Sequence, residues 1–170
     1  MRYKIKDTQN ISSDCMVCGV NNPFGLKTRF HVTEQNEVIA VFTPQQHHQS
    51  YPQVLHGGIT AAILDETIGR AIVPLTDSMT FGVTLDLHVQ YKKPIPYGVE
   101  LKAIGRITAN NGRIFEGTGE LYLPDGSVAA TASGKYMRRP LEKFTNVEFL
   151  DRHWFKPEEM PETVSIGEQD

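Results

Sequence analysis

Hydrophobic and polar positions along the chain fall into short alternating runs set around one longer apolar block. Over residues 80–91 the alternation is complete: Phe81, Val83, Leu85, Leu87, Val89 and Tyr91 share one face, and Thr80, Gly82, Thr84, Asp86, His88 and Gln90 share the other. Strand side chains point alternately to two faces, so this run predicts a strand with one apolar side. Shorter runs at 26–32 and 38–42 predict two strands joined by the hairpin loop 33–37. Three further strands are expected near 99–108, 113–123 and 128–137, divided by Asn110-Asn111-Gly112 and Pro124-Asp125-Gly126, where glycine supplies the backbone conformation of a tight turn. The block at 57–73, GGITAAILDETIGRAIV, has another period. Its apolar residues cover more than one helical face, which predicts a largely buried helix closed by Pro74.

Two strands, a buried helix and four strands linked largely by tight turns imply an α+β fold, with one antiparallel sheet wrapped around one long helix. Strands grouped in runs, without helices between them, argue against a doubly wound sheet. Three segments are expected: an irregular N-terminal stretch at 1–25, the domain proper at 26–139, and an acidic, proline-containing arm at 140–170 anchored by Phe149, Trp154 and Phe155. Residues 43–53 read as a loop because Pro44 and Pro52 discourage regular structure.

Composition narrows the function. The chain has 170 residues and a formal net charge of −3, with its basic residues scattered. No basic stripe marks a nucleic-acid surface, and no run is long and apolar enough for a membrane span. The first ten residues lack the apolar core of a secretion signal, so a cytoplasmic location is expected. The two cysteines, Cys15 and Cys18, lie in the run CMVCG. Without a second cysteine pair or a characteristic histidine spacing, the expected reading is a turn with reduced thiols, with metal binding and redox chemistry as alternatives.

Two features inside the apolar block carry chemistry. His56-Gly57-Gly58 stands where a loop enters the helix. The first amides of a helix have no internal partner and sit at its positive end, and glycine lets a ligand approach them, so they can bind the oxygen of a polarised carbonyl. A flexible helix start without a ligand is the plain alternative. The second feature is Asp65, which with Glu66 lies between AAIL and TIG. Burying it is costly unless it is paired or protonated, so it faces a solvated groove, caps a nearby backbone amide, or has a chemical role. Glu66 points about 100° away around the helix and is expected to be solvated or ion-paired. Gly57 and Asp65 lie eight residues apart, about 12 Å along one helix. A carbonyl oxygen and its attacker cannot both be served over that span, whereas two antiparallel helices of a two-fold dimer can serve them.

Residues 55–71, LHGGITAAILDETIGRA, followed by residues 82–94, GVTLDLHVQYKKP, resemble the hotdog-fold thioesterase superfamily, in particular its phenylacetate-degradation and 4-hydroxybenzoyl-CoA thioesterase-like branches. The CG-x-x-NP-x-GL entry from Cys18 to Leu26 belongs to the same likeness. The resemblance implies hydrolysis of an acyl-CoA thioester at a site shared between two subunits of a homodimer or homotetramer. Coenzyme A enters as part of the substrate, and no other cofactor and no metal is expected. It further implies Gly57 as oxyanion donor, Asp65 as base or nucleophile, and His56 as a positioner of the thioester. Gly58 would assist Gly57, and Thr84 would hold the catalytic water or serve as an ordinary strand threonine. Relatives often carry Asn or Gln in the loop before HGG, and here Gln49 or Ser50 would substitute. Lys92, Lys93 and Arg138 at strand ends could meet the coenzyme A phosphates or be solvated. His47 and His48 are expected to splay apart into solvent, and Asp86 and His88 to lie on the wet face. The rival readings are a hotdog enoyl-CoA hydratase or dehydratase, with His56 as the partner acid, and a non-enzymatic acyl-CoA binding module.

Overall fold

The computed structural model describes residues 1–167, so the last three positions of the arm at 140–170 lie outside the described residues. The strands are β1 (Arg2–Thr8), β2 (Ile11–Ser12), β3 (Arg29–Thr33), β4 (Val38–Phe42), β5 (Gln49–Tyr51), β6 (Val54–Leu55), β7 (Thr80–Tyr91), β8 (Leu101–Asn110), β9 (Ile114–Tyr122), β10 (Val128–Pro140), β11 (Trp154–Phe155) and β12 (Thr163–Ser165). The helices are α1 (Gly57–Arg70) and α2 (Val147–Arg152). Eight strands form one antiparallel sheet in the order β12-β1-β3-β4-β8-β9-β10-β7, and α1 packs across β4, β7, β8, β9 and β10. This is the hotdog arrangement.

Helix and sheet approach closely because the strands beneath α1 carry glycine. A Cβ on Gly105 of β8 would lie 2.6 Å from the Thr67 carbonyl oxygen, and one on Gly117 of β9 would lie 2.6 Å from Ile68 Cγ2. Glycine inside a strand marks such an approach of backbone to neighbour. Ile63, Leu64 and Ile68 of α1, and Ile72 just beyond it, are fully buried in the core. The helix ends at Arg70, earlier than its apolar period suggests, and Pro74 falls within a 3-10 turn over Val73–Leu75.

Several segments depart from the sequence reading. The stretch at 1–25 is not irregular throughout, since β1 pairs with β3 and with β12. Its RYKIKDT pattern, exposed and half-buried by turns, is that of an outer strand, and its interleaved Arg and Lys hide the apolar period. Residues 49–55 form the small hairpin β5–β6, turned through Gln53 at φ 69°. The arm both rests on the surface and joins it: β11 pairs with β2, and β12 extends the sheet beyond β1. Trp154 packs edge-on against Phe81, with ring centroids 5.3 Å apart.

The long strand β7 hides the largest surprise. Lys135 of β10 pairs with Asp86 and Tyr136 pairs with Thr84, so Leu85 is an unpaired bulge. A bulge reverses which face the following residues occupy. Leu87 and Val89 therefore pack toward the core, as their alternation predicts, while on the other side of the bulge Thr84 faces α1.

Candidate active site

Asp65 sits half-buried in the third turn of α1, on the wall of a cavity of about 520 Å³. Its carboxylate accepts a hydrogen bond from Thr84 Oγ1 at 2.8 Å and another from the Tyr136 hydroxyl at 3.1 Å. The same hydroxyl lies 3.2 Å from the Asp65 carbonyl. Burial first, and then the charge of Asp65, push the Tyr136 hydroxyl well above its usual range, so it stays protonated and donates. Tyr136 is itself fixed by stacking on Phe115 at a centroid distance of 5.1 Å. Phe81, Phe144, Phe149 and Trp154 give the rest of the cavity an aromatic wall. A carboxylate held by two hydroxyls against an apolar space is poised to accept a proton or to attack.

Glu66, its neighbour, has a different task. It forms an ion pair with Arg70 at 2.8 Å, one helical turn on. Arg70 is buried, with its guanidinium 4.3 Å over the Phe30 ring and a bond to the Asn10 carbonyl at 2.9 Å. The pair ties α1 to the N-terminal segment.

The helix start is a second locus. His56 is the N-cap, and its Nδ1 accepts the Gly58 amide at 2.9 Å. Gly58 is therefore already engaged as a donor. The Gly57 amide has no acceptor among the described residues, as expected for the first amide of a helix. The Gly57 carbonyl accepts from the Tyr91 hydroxyl at 2.7 Å.

Within one chain the sequence-derived candidates are divided. Asp65 and Thr84 line the 520 Å³ cavity. Gly57, Ser50, Lys92 and Lys93 line another of about 460 Å³. His56, Gly58 and Gln49 line a third of about 380 Å³. Arg138 pairs with Gly82 at the outer end of β10 and lines none of these three. His47 and His48 do not splay: their ring centroids are 4.1 Å apart. His48 is buried, taking the Gln45 amide on Nδ1 at 2.8 Å and reaching the Phe24 carbonyl from Nε2 at 2.7 Å, so it fixes the loop. Asp86 and His88 are exposed. Sequence reasoning passed over Tyr136 and Tyr91. The available signal was an aromatic residue with a polar tip in a strand flanking the helix, since such a hydroxyl seeks a partner when its ring is buried.

Residues 52–130 match the family model described as the thioesterase superfamily. Over this segment the chain is similar to that superfamily. Over 84 residues the chain is 29% identical to the acyl-coenzyme A thioesterase THEM4 of Xenopus laevis, a match covering 49% of this chain and 36% of that relative. The chain thus matches little more than a third of that curated relative's length. Among solved structures, a thioesterase-superfamily protein superposes with a TM-score of 0.67 at 24% identity, over 75% of this chain and 61% of that one. The PaaI protein of the Escherichia coli phenylacetic acid degradation operon superposes with a TM-score of 0.60 at 16% identity, over 67% of this chain and 80% of its own. At these identities the structural likeness is one of fold.

Proposed function

We propose that the protein hydrolyses acyl-CoA thioesters at sites shared between two copies of the chain. The observation that carries this reading is the Asp65 carboxylate, held by Thr84 and Tyr136 on an aromatic-walled cavity. In the proposed reaction Asp65 removes a proton from water, which attacks the thioester carbonyl. Direct attack by the carboxylate, followed by hydrolysis of the anhydride, is the other route. In both, the free Gly57 amide of the partner subunit takes the developing oxyanion, and its collapse expels coenzyme A as the thiolate.

The shared site is supported by the distance along α1 and by the character of β7. This strand ends the sheet with a twelve-residue open edge. Val83 and Leu85 on it are 39% and 49% exposed. A long apolar edge is a template for pairing with another chain. Pairing β7 with its own copy across a two-fold axis would lay the two α1 helices antiparallel and bring the start of each toward the middle of the other. Lys92 and Lys93, beside Gly57, then suit the coenzyme A phosphates, with Ser50 on the same cavity. Among the described residues no helix is long and apolar enough to cross a membrane. We place the protein in the cytoplasm.

The test is thiol release from short, medium, long and aromatic acyl-CoAs, with enoyl-CoA absorbance followed in parallel. Thiol release that needs Asp65 supports hydrolysis. Loss of the conjugated absorbance without thiol release would replace it with hydration.

A further inference from the structure

Cys15 and Cys18 have no role in the hydrolysis, yet both line the cavity that holds Asp65. Cys15 is half-buried and Cys18 fully buried, and both thiols are free. The turn between them is tightly held. The Gly19 amide donates to the Cys15 carbonyl at 2.9 Å, and a Cβ at Gly19 would lie 2.5 Å from the Cys15 backbone. The Leu26 and Thr28 amides fasten the Met16 and Val17 carbonyls at 3.0 and 2.9 Å. Both sulfurs and a Glu66 carboxylate oxygen lie within 4.8 Å of one another.

The two sulfurs are not equivalent. Cys15 Sγ receives the Val17 amide at 3.3 Å and the Cys18 amide at 3.5 Å, a backbone pocket that favours a thiolate. Its thiol is held down to about 7, chiefly by the bond from the Cys18 thiol, while burial and the charge of Glu66 oppose the shift. Cys18 is pushed up by that same bond and by burial. Once Cys15 is capped this bond is gone, and Cys18 keeps the Arg70 guanidinium 3.4 Å from its sulfur. The three clustered donors fall one short of a closed zinc site. Arg70, ion-paired to Glu66 at 2.8 Å, also places a fixed cation where a metal would need the carboxylate.

We propose that Cys15 and Cys18 form a dithiol site that exchanges with low-molecular-weight disulfides, Cys15 attacking and Cys18 resolving. The Cys15 thiolate attacks one sulfur of R–S–S–R, forming Cys15–S–S–R and releasing one thiolate, R–S⁻. Cys18 then gives up its proton and attacks the Cys15 sulfur, closing the Cys15–Cys18 disulfide and releasing the second R–S⁻. Two electrons pass from the protein pair to the small disulfide, which leaves as two thiols. The assignment stands on the thiols alone and does not depend on the hydrolysis.

The full chain, reduced and then desalted, is treated with iodoacetamide at pH 7 and, separately, with oxidised glutathione, followed by acid quench and peptide mass mapping. Cys15 is expected to alkylate about tenfold or more faster than Cys18. Glutathione disulfide is expected to yield one internal bridge that dithiothreitol reverses. Cys18→Ser should stop at a glutathione adduct on Cys15, and Cys15→Ser should take up none. Equal alkylation rates, adducts retained on both wild-type cysteines, or two thiols left free in excess disulfide would each overturn the assignment. The wild-type mapping decides the matter alone if Cys18→Ser, made at a buried position, does not fold.

Discussion

At its start α1 presents donors, and eight residues later it presents an acceptor. The start is a cap: His56 takes the Gly58 amide, Tyr91 donates to the Gly57 carbonyl, and Gly57, whose amide has no acceptor among the described residues, lines a cavity with Lys92 and Lys93. The middle is a clamp: two hydroxyls from different strands close on one carboxylate beside aromatic rings. The first suits developing negative charge and the second supplies it. About 12 Å of helix keeps them apart within one chain. In the proposed reading each locus is half of a site, and a second copy of the chain completes it.

The sharpest way to break this comparison is to silence the clamp. Asp65→Asn keeps the shape and hydrogen-bonding reach but removes the base, so kcat/KM for thiol release should fall about 10³-fold while circular dichroism stays unchanged. At the cap, Gly57→Pro deletes the amide hydrogen, and its Cβ would meet the Tyr91 ring at 3.5 Å, an ordinary contact distance. His56 already has φ −63° and ψ 133°, as a residue before proline requires, and proline is favoured at the first helical position. The expected loss is about 10²-fold in kcat with the fold retained. An undiminished rate would remove the Gly57 amide from the reaction. Tyr136→Phe leaves the stack on Phe115 but takes one hydroxyl from Asp65, and about a tenfold drop in kcat should follow, with a similar drop for Thr84→Val.

The smallest effect on rate is expected from Glu66→Gln, which separates the two neighbouring carboxylates. Thiol release should change less than about threefold, because Glu66 holds Arg70 and not substrate. Stability should fall by about 2 kcal/mol in urea denaturation, since the buried guanidinium loses its counter-charge. A large loss of activity with stability intact would put Glu66 in the site.

Much of this could be read in the sequence. Alternation located the strands after the helix, and a pair of carboxylates in an apolar block drew attention to Asp65, because both follow from burial periodicity. Periodicity does not report a bulge. Leu85 looks like every other apolar residue of its strand, yet its insertion turns Thr84 onto Asp65. Long-range pairings were equally silent. The clamp needs Tyr136, 71 residues beyond Asp65, and β1 finds β12 across nearly the whole chain. The cap was visible as His-Gly-Gly, but not which amide its histidine would consume. That Gly58 is engaged while Gly57 is free depends on a single side-chain orientation.

The shared site is tested most directly by complementation. Asp65→Asn and Gly57→Pro chains, each inactive and folded, are mixed, unfolded and refolded together, then assayed for thiol release. Random pairing puts half of the dimers in the mixed form, each with one intact composite site, so about a quarter of wild-type activity should return. Mixed dimers that form and remain silent would mean that Gly57 and Asp65 do not meet across two chains, and the account of a shared site would be wrong.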